Sequence, residues 1–182
     1  MATTAPALTG TWTADPVHSS AEFSARHMLV STFRGRLPRF AATFRADGDG
    51  LHLTGEADAT AVVTEDAGLT AHLQSPEFLD TQRHPVVRFA SRRVRVEGGD
   101  VEVEGDLTMK GITRPVVFRG TLHGPVEDPW GNTKLGLEIA ASVERSDFDM
   151  HWNAPLPGGG LVLGGTVTLS VHLELARTAD AA

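Results

Sequence analysis

Apolar and polar residues alternate along most of this chain, in runs separated by turns rich in glycine, proline and aspartate. Within Val101–Met109, for example, Val101, Val103 and Leu107 share one side, and acidic residues occupy the other. A period of two indicates a β-strand with one face in a core and the other in water. Eight such runs predict eight long strands: Ser20–Phe33, Phe40–Ala46, Leu51–Val62, Val86–Val96, Val101–Met109, Val116–His123, Lys134–Arg145 and Leu161–Leu175. Sheets with one wet face are typically antiparallel, so we expect an all-β fold closed as a barrel or folded as a sandwich.

The segments between these runs contain turn signals. They are DGDG at Asp47–Gly50, EGGD at Glu97–Asp100, KGITRP at Lys110–Pro115 and HGPVEDPWGN at His123–Asn132. Inside Val86–Val96 the apolar residues change parity, which predicts a β-bulge near Ser91–Arg93. No second core, linker or internal repeat interrupts the series. We therefore expect one domain over residues 1–182, with the barrel at about 10–176 and disordered ends.

One interval between the third and fourth runs lacks the alternation. In SPEFLDTQ, Ser75 is a candidate N-cap, Pro76 suits the first helical turn, and Glu77 suits the positive end of a helix. This combination predicts a short helix, and the preceding TEDAGLTAHL is a candidate for another. The sequence therefore predicts a small helical insert in the barrel.

The faces predicted to point inward carry an unusual number of small residues. They are Ala21, Ala25, Ala42, Ala46, Gly55, Ala57, Ala59, Ala61, Gly105, Gly120, Ala141 and Gly165. A barrel of about eight strands is filled by its own side chains, or holds one small ligand where those side chains are small. The pattern therefore predicts an interior cavity, and the alternative is that large neighbours or the helical insert fill the space. Phenylalanine, leucine, isoleucine and methionine on the same faces would give the cavity a greasy lining suited to a long apolar chain.

Composition and charge exclude several classes of function. The net charge of −7 disfavours nucleic acid as a partner, and the lack of cysteine removes thiolate nucleophiles and cysteine metal sites. The eight histidines show no compact metal-ligand spacing, and no nucleophile motif is present, so we expect neither a metal nor a catalytic site. Five arginines and no acid lie within Arg26–Arg45, and another five within Arg83–Arg95. Each cluster is either a solvated strand face or a patch that faces an anion.

Two polar residues share the inward parity. His27 follows Phe23 and Ala25 on one face, and Arg145 ends an inward row that contains Ile139. Each is either a buried residue that closes one barrel end or a contact for the head group of a ligand, since arginine offers a planar fork to phosphate or carboxylate. In the first alternative, the candidate charge partners of the two residues are Asp15 and Asp147. His18 lies in a turn before the first long strand, where it suits a turn cap.

The stretch DPVHSSAEFSARHMLVSTFRGRL resembles the signature of the YceI-like family, also called the polyisoprenoid-binding domain family. The residues that match this signature are Asp15, His18, Ser19, Phe23, His27, Ser31 and Gly35. Four later segments resemble the family in the same order: SPEFLDTQRHPVVRFAS, GDLTMKGITRPVVF, DPWGNTKLGL and ERSDFDM. The resemblance extends from Gly10 to Leu175, and Leu37 and Asp149 depart from it where the family often has phenylalanine and glycine.

The resemblance implies an eight-stranded, antiparallel, lipocalin-like barrel with a short helical insert, whose members hold isoprenoid or fatty chains in an interior tunnel. Parity and resemblance together give the candidate ligand-binding residues: Phe23, Ala25, His27, Phe33, Phe40, Ala42, Phe89, Leu107, Met109, Phe118, Leu137, Ile139, Arg145 and Trp152. The predicted function is to carry, store or sequester a long-chain isoprenoid such as a quinone or polyprenyl phosphate, without catalysis and without a cofactor other than the bound lipid.

Two other functions remain open at this stage. One is a lipid-modifying enzyme with His27 as acid or base, which needs a second titratable group within hydrogen-bond reach. The other is a structural or interaction module with a filled core. A transient membrane contact and a homodimer are compatible with each. Many family members are exported, but MATTAPALTG has neither the basic nor the apolar segment of a secretory signal, so the expected location is cytoplasmic.

Overall fold

The computed structural model describes residues 8–178, and the disordered ends expected from the sequence lie outside this range. Ten antiparallel strands form one sheet. They are β1 (Gly10–Ala14), β2 (Ser20–His27), β3 (Ser31–Arg36), β4 (Phe40–Asp47), β5 (Gly50–Asp58), β6 (Val86–Glu97), β7 (Asp100–Met109), β8 (Ile112–Glu127), β9 (Thr133–Glu144) and β10 (Leu163–Arg177). The helix α1 (Ala67–Gln74) and two 3-10 turns, Ala59–Ala61 and Arg145–Phe148, complete the described structure.

The sheet closes into a barrel of eight strand positions. The order is β1-β4-β5-β6-β7-β8-β9-β10-β2-β3, and β1 also pairs with β10. Because β10 pairs with both β1 and β2, these two strands occupy one position, interrupted at residues 15–19. Strands β3 and β4 likewise share one position, interrupted at residues 37–39. The predicted all-β, eight-stranded antiparallel barrel is confirmed.

One predicted strand is divided in two in the structure. The run Ser20–Phe33 is not one strand but the hairpin β2–β3, because Met28 and Leu29 adopt positive φ angles of 48° and 65° and reverse the chain. Few residues other than glycine adopt this conformation, so composition gave no sign of the turn. The predicted bulge in β6 is confirmed, since the register with β7 shifts between Ser91 and Arg93.

The predicted helix over SPEFLDTQ is wrong, and the helix lies just before it. Asp66 is the N-cap of α1, where its carboxylate accepts a hydrogen bond from the Leu69 amide at 2.8 Å. Ser75 is the C-cap, so Pro76 ends the helix instead of beginning one. The second candidate, TEDAGLTAHL at residues 64–73, contains most of this helix, so the helical insert expected from the sequence is present as α1. Among the described residues, no helix has the length and hydrophobicity needed to cross a membrane.

The two ends of the barrel are packed differently. At the end that holds the β4–β5, β6–β7 and β8–β9 turns, which we call the lower end, large apolar side chains fill the interior: Trp12, Phe44, Val103, Leu135, Leu137 and Leu175 are at most 2% exposed. The opposite, upper end carries the β2–β3 turn, α1 and the segment between β9 and β10. There the interior is not filled.

Candidate ligand-binding interior

The upper half of the barrel is hollow. Phe23, Phe33, Phe40 and Phe89 have the inward parity, yet all four remain only half-buried. Such side chains would be fully covered in a filled barrel, because protein interiors are close-packed. The space they border divides into three parts, which we call the inner chamber, the upper chamber and the mouth.

The inner chamber lies at mid-barrel and has a volume of about 130 Å³. Its inward-facing lining consists of Ala21, Phe23, Leu37, Phe40, Ala42, Leu53, Gly55, Ala57, Val87, Phe89, Leu107, Phe118, Ile139, Leu169, Val171 and Leu173. Glu22, Ala41, Thr54, Glu56 and Arg88 of the barrel wall also border it. Small residues at Ala42, Gly55 and Ala57, on the neighbouring strands β4 and β5, leave this volume open.

The upper chamber, of about 110 Å³, lies between the inner chamber and the upper end. It shares Phe23, Leu37, Val87, Leu107 and Leu169 with the inner chamber, so the two spaces adjoin. Its other lining residues are Ala25, Phe33, Leu73, Phe78, Leu79, Met109, Val143, Arg145, Met150, Leu163 and Val167. Among the described residues, Arg145 is the one charged side chain in this lining, so the chamber is otherwise apolar.

The mouth, of about 220 Å³, lies under α1 and the β2–β3 turn. It shares Phe33, Leu73, Phe78 and Leu163 with the upper chamber, and its remaining lining is His27, Ser31, Leu69, His72, Trp152 and Val162. Adjoining apolar spaces therefore extend from the barrel centre to its upper rim.

Not every small inward residue creates space. A Cβ on Gly105 would lie 2.5 Å from the ring of Phe89, and one on Gly120 would collide with the backbone oxygen of Glu138. At Gly105 the large neighbour Phe89 fills the space, and at Gly120 the backbone of the adjoining strand does. Gly165 is exposed instead of inward-facing, because it falls in the irregular stretch of β10 between Leu163 and Val167. Ala59 and Ala61 are buried in a 3-10 turn and not in a strand.

Arg145 holds the chain that closes the upper end. Its Nε donates to the Gly164 carbonyl at 3.0 Å and its Nη1 to the Met150 carbonyl at 2.7 Å. The side chain is buried, and desolvation lowers the pKa of the guanidinium. Among residues 8–178 no carboxylate forms an ion pair with it, so neither Asp15 nor Asp147 is its partner. Its structural role is thus observed, and its contact with a ligand stays a prediction.

Aromatic side chains border the mouth. The ring of Trp152 lies 4.7 Å from that of His72 and 5.7 Å from that of Phe78, measured between centroids. His72 Nε2 also lies 2.6 Å from a carboxylate oxygen of Glu77. His27 lines the same mouth, half-buried as its parity predicts. Within the described part of the chain, no titratable side chain lies at hydrogen-bond distance from the His27 ring, so the partner that the enzymatic alternative requires of His27 is not observed.

A polar cluster joins the interruption between β1 and β2 to the end of β10. The Asp15 carboxylate accepts from the Val17 amide at 2.8 Å, and His18 Nδ1 lies 3.3 Å from Asp15 Oδ2. The amide of Val17, and then His18, lower the pKa of Asp15. With Glu174, these side chains offer three ligand atoms within 4.8 Å of one another. Lys134 Nζ, however, lies 3.0 Å from Glu174 and 3.7 Å from Asp15, and it already supplies the cation.

Most of the predicted site residues border the hollow. The inner chamber is lined by Phe40, Ala42, Phe89, Phe118 and Ile139. The upper chamber is lined by Ala25, Met109 and Arg145, and the mouth by His27 and Trp152. Two of these spaces are bordered by each of Phe23, Leu107 and Phe33. Leu137 is fully buried in the packed lower end and lines none of the three, so it does not belong to the candidate site.

Sequence reasoning missed other parts of the lining. Leu169 and Val171 have the inward parity of β10 and could have been included on that signal. Leu73, Phe78 and Leu79 come from the insert, and no periodicity in the sequence indicated which of their side chains would face the barrel.

The two departures from the family pattern have visible consequences. Leu37 lies at the interruption between β3 and β4 and borders both the inner and the upper chamber. Asp149 has a φ of 57°, a left-handed conformation that glycine adopts most easily and that aspartate tolerates better than most other residues. Lys110 Nζ donates to the Asp149 carbonyl at 2.6 Å and so helps to hold this conformation.

Comparisons with known proteins identify the family. The sequence model of the YceI-like domain matches residues 12–175. Protein YceI of Escherichia coli is 33% identical over 138 residues, which cover 73% of this chain and 71% of that protein. The crystal structure of BcnA from Burkholderia cenocepacia is similar with a TM-score of 0.74 at 18% identity, over 91% of this chain and 99% of that one. A polyisoprenoid binding domain from Saccharophagus degradans is similar with a TM-score of 0.69 at 12% identity, over 94% of this chain and all of that one. The chain belongs to the YceI-like family, and the solved structures share its barrel fold.

Proposed function

We propose that this protein binds a long-chain isoprenoid, or a similar apolar lipid, inside the barrel and serves to carry, store or sequester it. The observation that carries the proposal is the series of adjoining apolar spaces from the inner chamber to the mouth. The similarity to a polyisoprenoid binding domain supports the class of ligand, and membership of the YceI-like family is consistent with it.

The volumes indicate how much of a chain the barrel takes up. An apolar protein cavity of about 150 Å³ stays dry and binds benzene, so each chamber has room for roughly one five-carbon isoprene unit. The chambers and the mouth together therefore suit about three or four units. At roughly 0.8 kcal/mol per buried CH₂, a chain of this length contributes on the order of 12 kcal/mol before the costs of association are subtracted. A longer chain would extend out of the mouth.

The polar residues of the mouth favour a neutral head group. His27, Ser31 and His72 can each hydrogen-bond a carbonyl or hydroxyl oxygen. Within residues 8–178, neither lysine nor arginine lines the mouth. The carboxylate of Glu77, in contact with His72, adds negative charge at this point. A phosphate needs cationic partners when it leaves water. A quinone or a prenyl alcohol therefore fits the mouth better than a polyprenyl phosphate does.

The direct test is solvent extraction and mass spectrometry of untagged protein, followed by titration of the delipidated protein with a prenyl quinone and a polyprenol. The expected result is one apolar chain per protein molecule, retained on purification or taken up from solution. A protein that purifies without lipid and takes up neither ligand would contradict the proposal and favour the module with a filled core.

A further inference from the structure

The β2–β3 turn presents an apolar tip to solvent at the upper end. Met28, Leu29 and Val30 follow one another in this turn, and Leu29 and Val30 are 64% and 80% exposed. Nine large hydrophobic residues of the described chain are exposed. Five of the nine belong to one group, which consists of the three turn residues, Leu69 and Leu161. Exposed apolar residues scattered singly need no explanation, but a contiguous group is typical of an interaction surface.

These five residues lie beside the mouth. His27 and Ser31, which line the mouth, flank the turn on either side. The Met28 amide donates to the Val162 carbonyl at 2.7 Å, which places the turn against the loop that carries Leu161. Leu69 itself belongs to the mouth lining. The apolar tip therefore continues the greasy lining of the barrel onto its outer surface.

The sides of the same hairpin are cationic. Arg26 and Arg34 are exposed on the outer face, where their cross-strand partners are Thr32 and Ser24. Within residues 8–178, neither arginine forms an ion pair, whereas Arg39 of the same sequence cluster pairs with Asp58 at 3.3 Å. The second arginine cluster behaves differently.

In that second cluster, Arg83, Arg88, Arg92 and Arg95 all lie within ion-pair distance of carboxylates. The alternative of a solvated strand face therefore fits these four arginines of the second cluster. For the hairpin, the alternative of a patch that faces an anion stays open, because Arg26 and Arg34 have no ion pair within residues 8–178.

We propose that the hairpin β2–β3 docks the mouth of the barrel onto an anionic phospholipid bilayer. The tip inserts among the acyl chains, and Arg26 and Arg34 contact the phosphates. Arg34 lies four residues beyond Val30, roughly 13 Å along a strand at about 3.3 Å per residue. A tip inserted by the roughly 5–10 Å that an amphipathic helix reaches would therefore leave Arg34 on the water side of the acyl chains, where the phosphates lie. The purpose of docking, to load or unload a lipid chain, rests on the proposed function, but the docking itself does not.

The test is sedimentation of the purified protein with vesicles of phosphatidylcholine alone or mixed equally with phosphatidylglycerol, over a range of salt concentrations. We expect wild-type protein to bind the mixed vesicles more tightly and to lose this preference at high salt. Replacing the tip by Leu29→Ser and Val30→Ser should weaken binding to the mixed vesicles about tenfold. Arg34→Glu should weaken it roughly 25-fold at low salt, since each unit of charge near an anionic surface changes affinity about fivefold.

Matched control variants lie at the lower end. Trp130 and Val126 are also exposed there, so Trp130→Ser with Val126→Ser removes a similar apolar surface far from the mouth. Arg93→Glu reverses an exposed charge on β6 outside the hairpin. Neither control should change vesicle binding. The proposal would be overturned if the wild type bound both vesicle types equally, or if the controls lost as much vesicle binding as the hairpin variants. It would also be overturned if the wild type bound no vesicle and formed a dimer that the tip variant dissociates.

The amount of lipid bound to each variant, measured after extraction or after titration in detergent, separates this proposal from the proposed function. A tip variant that still holds lipid but no longer binds vesicles supports both. Wild-type protein that binds vesicles and never takes up a chain would support docking and contradict the lipid-carrier function.

Discussion

The substitution Ala57→Phe tests whether the inner chamber is the end of the binding site. Ala57 lies on β5 between Phe40 of β4 and Val87 of β6, and all three residues line the chamber. Phenylalanine in place of alanine adds a benzene ring to this space. The chamber measures about 130 Å³, and a cavity of roughly 150 Å³ is one that benzene occupies. The new ring should therefore fill the chamber without displacing its walls.

The expected effect depends on the length of the ligand. The ring takes the place of about five carbons of a bound chain, which at roughly 0.8 kcal/mol each corresponds to about 4 kcal/mol. Affinity for a prenyl alcohol that reaches the inner chamber should then fall on the order of a thousandfold. A two-unit alcohol that occupies only the upper chamber and the mouth should bind as it does to the wild type. The preferred chain thus becomes shorter by about one isoprene unit.

The assay is competition binding with prenyl alcohols of two, three and four isoprene units, together with thermal unfolding. Ala90→Phe is the matched control, since Ala90 is exposed on the outer face of neighbouring β6. A ring that enters hollow space should leave the free energy of unfolding unchanged or higher. Overpacking a filled core costs typically 1–3 kcal/mol. Lower stability combined with an unchanged preference for chain length would refute the assignment of the chamber.

Two further predictions concern the polar residues. Arg145→Lys loses the paired hydrogen bonds to Gly164 and Met150. It should lower the free energy of unfolding, measured in urea, by about 1.5–3 kcal/mol. Unchanged stability would show that these bonds do not hold the upper end closed. Asp15→Asn should lower the free energy of unfolding at neutral pH. The difference in this free energy from the wild type should narrow as the pH falls below about 4. The pKa of Asp15 is lower in the folded state than in the unfolded state. Its contribution to the free energy of unfolding is therefore fully present above the unfolded-state pKa. That contribution is lost as the pH falls through the folded-state pKa. A gap that is constant with pH would contradict this account.

Parity predicted the faces of the barrel wherever strands are regular. On β7, every second residue from Val101 to Met109 is buried, as the alternation indicates. The change of parity in β6 even revealed the bulge between Ser91 and Arg93, because an extra residue leaves a permanent trace in a period-two pattern. Features encoded in local periodicity were therefore predictable.

Features set by tertiary contacts were not. The turn at Met28 and Leu29 has no glycine or proline to indicate it, and Ser75, predicted to begin a helix, is the C-cap of α1. The cavity itself shows the same limit. Gly55 and Gly105 both lie on inward faces, yet Gly55 borders open space and Gly105 lies beneath the ring of Phe89. Residue size alone does not determine which outcome occurs, because it also depends on how closely the side chain and backbone of a neighbouring strand approach.

The division of the barrel into a packed and a hollow half suggests how stability and binding are reconciled in one sheet. The lower end buries Trp12, Phe44 and Leu175 almost completely and closes the ring through the pairing of β1 with β4 and β10. The upper half leaves aromatic surface uncovered, and its wall is interrupted at residues 37–39, although the Leu37 amide still donates to the Ala21 carbonyl of neighbouring β2. Apolar surface that the protein leaves unburied is surface that a lipid chain can bury, and such a chain stabilises the form that binds it. On the proposed function, the bound lipid is therefore the missing part of the hydrophobic core.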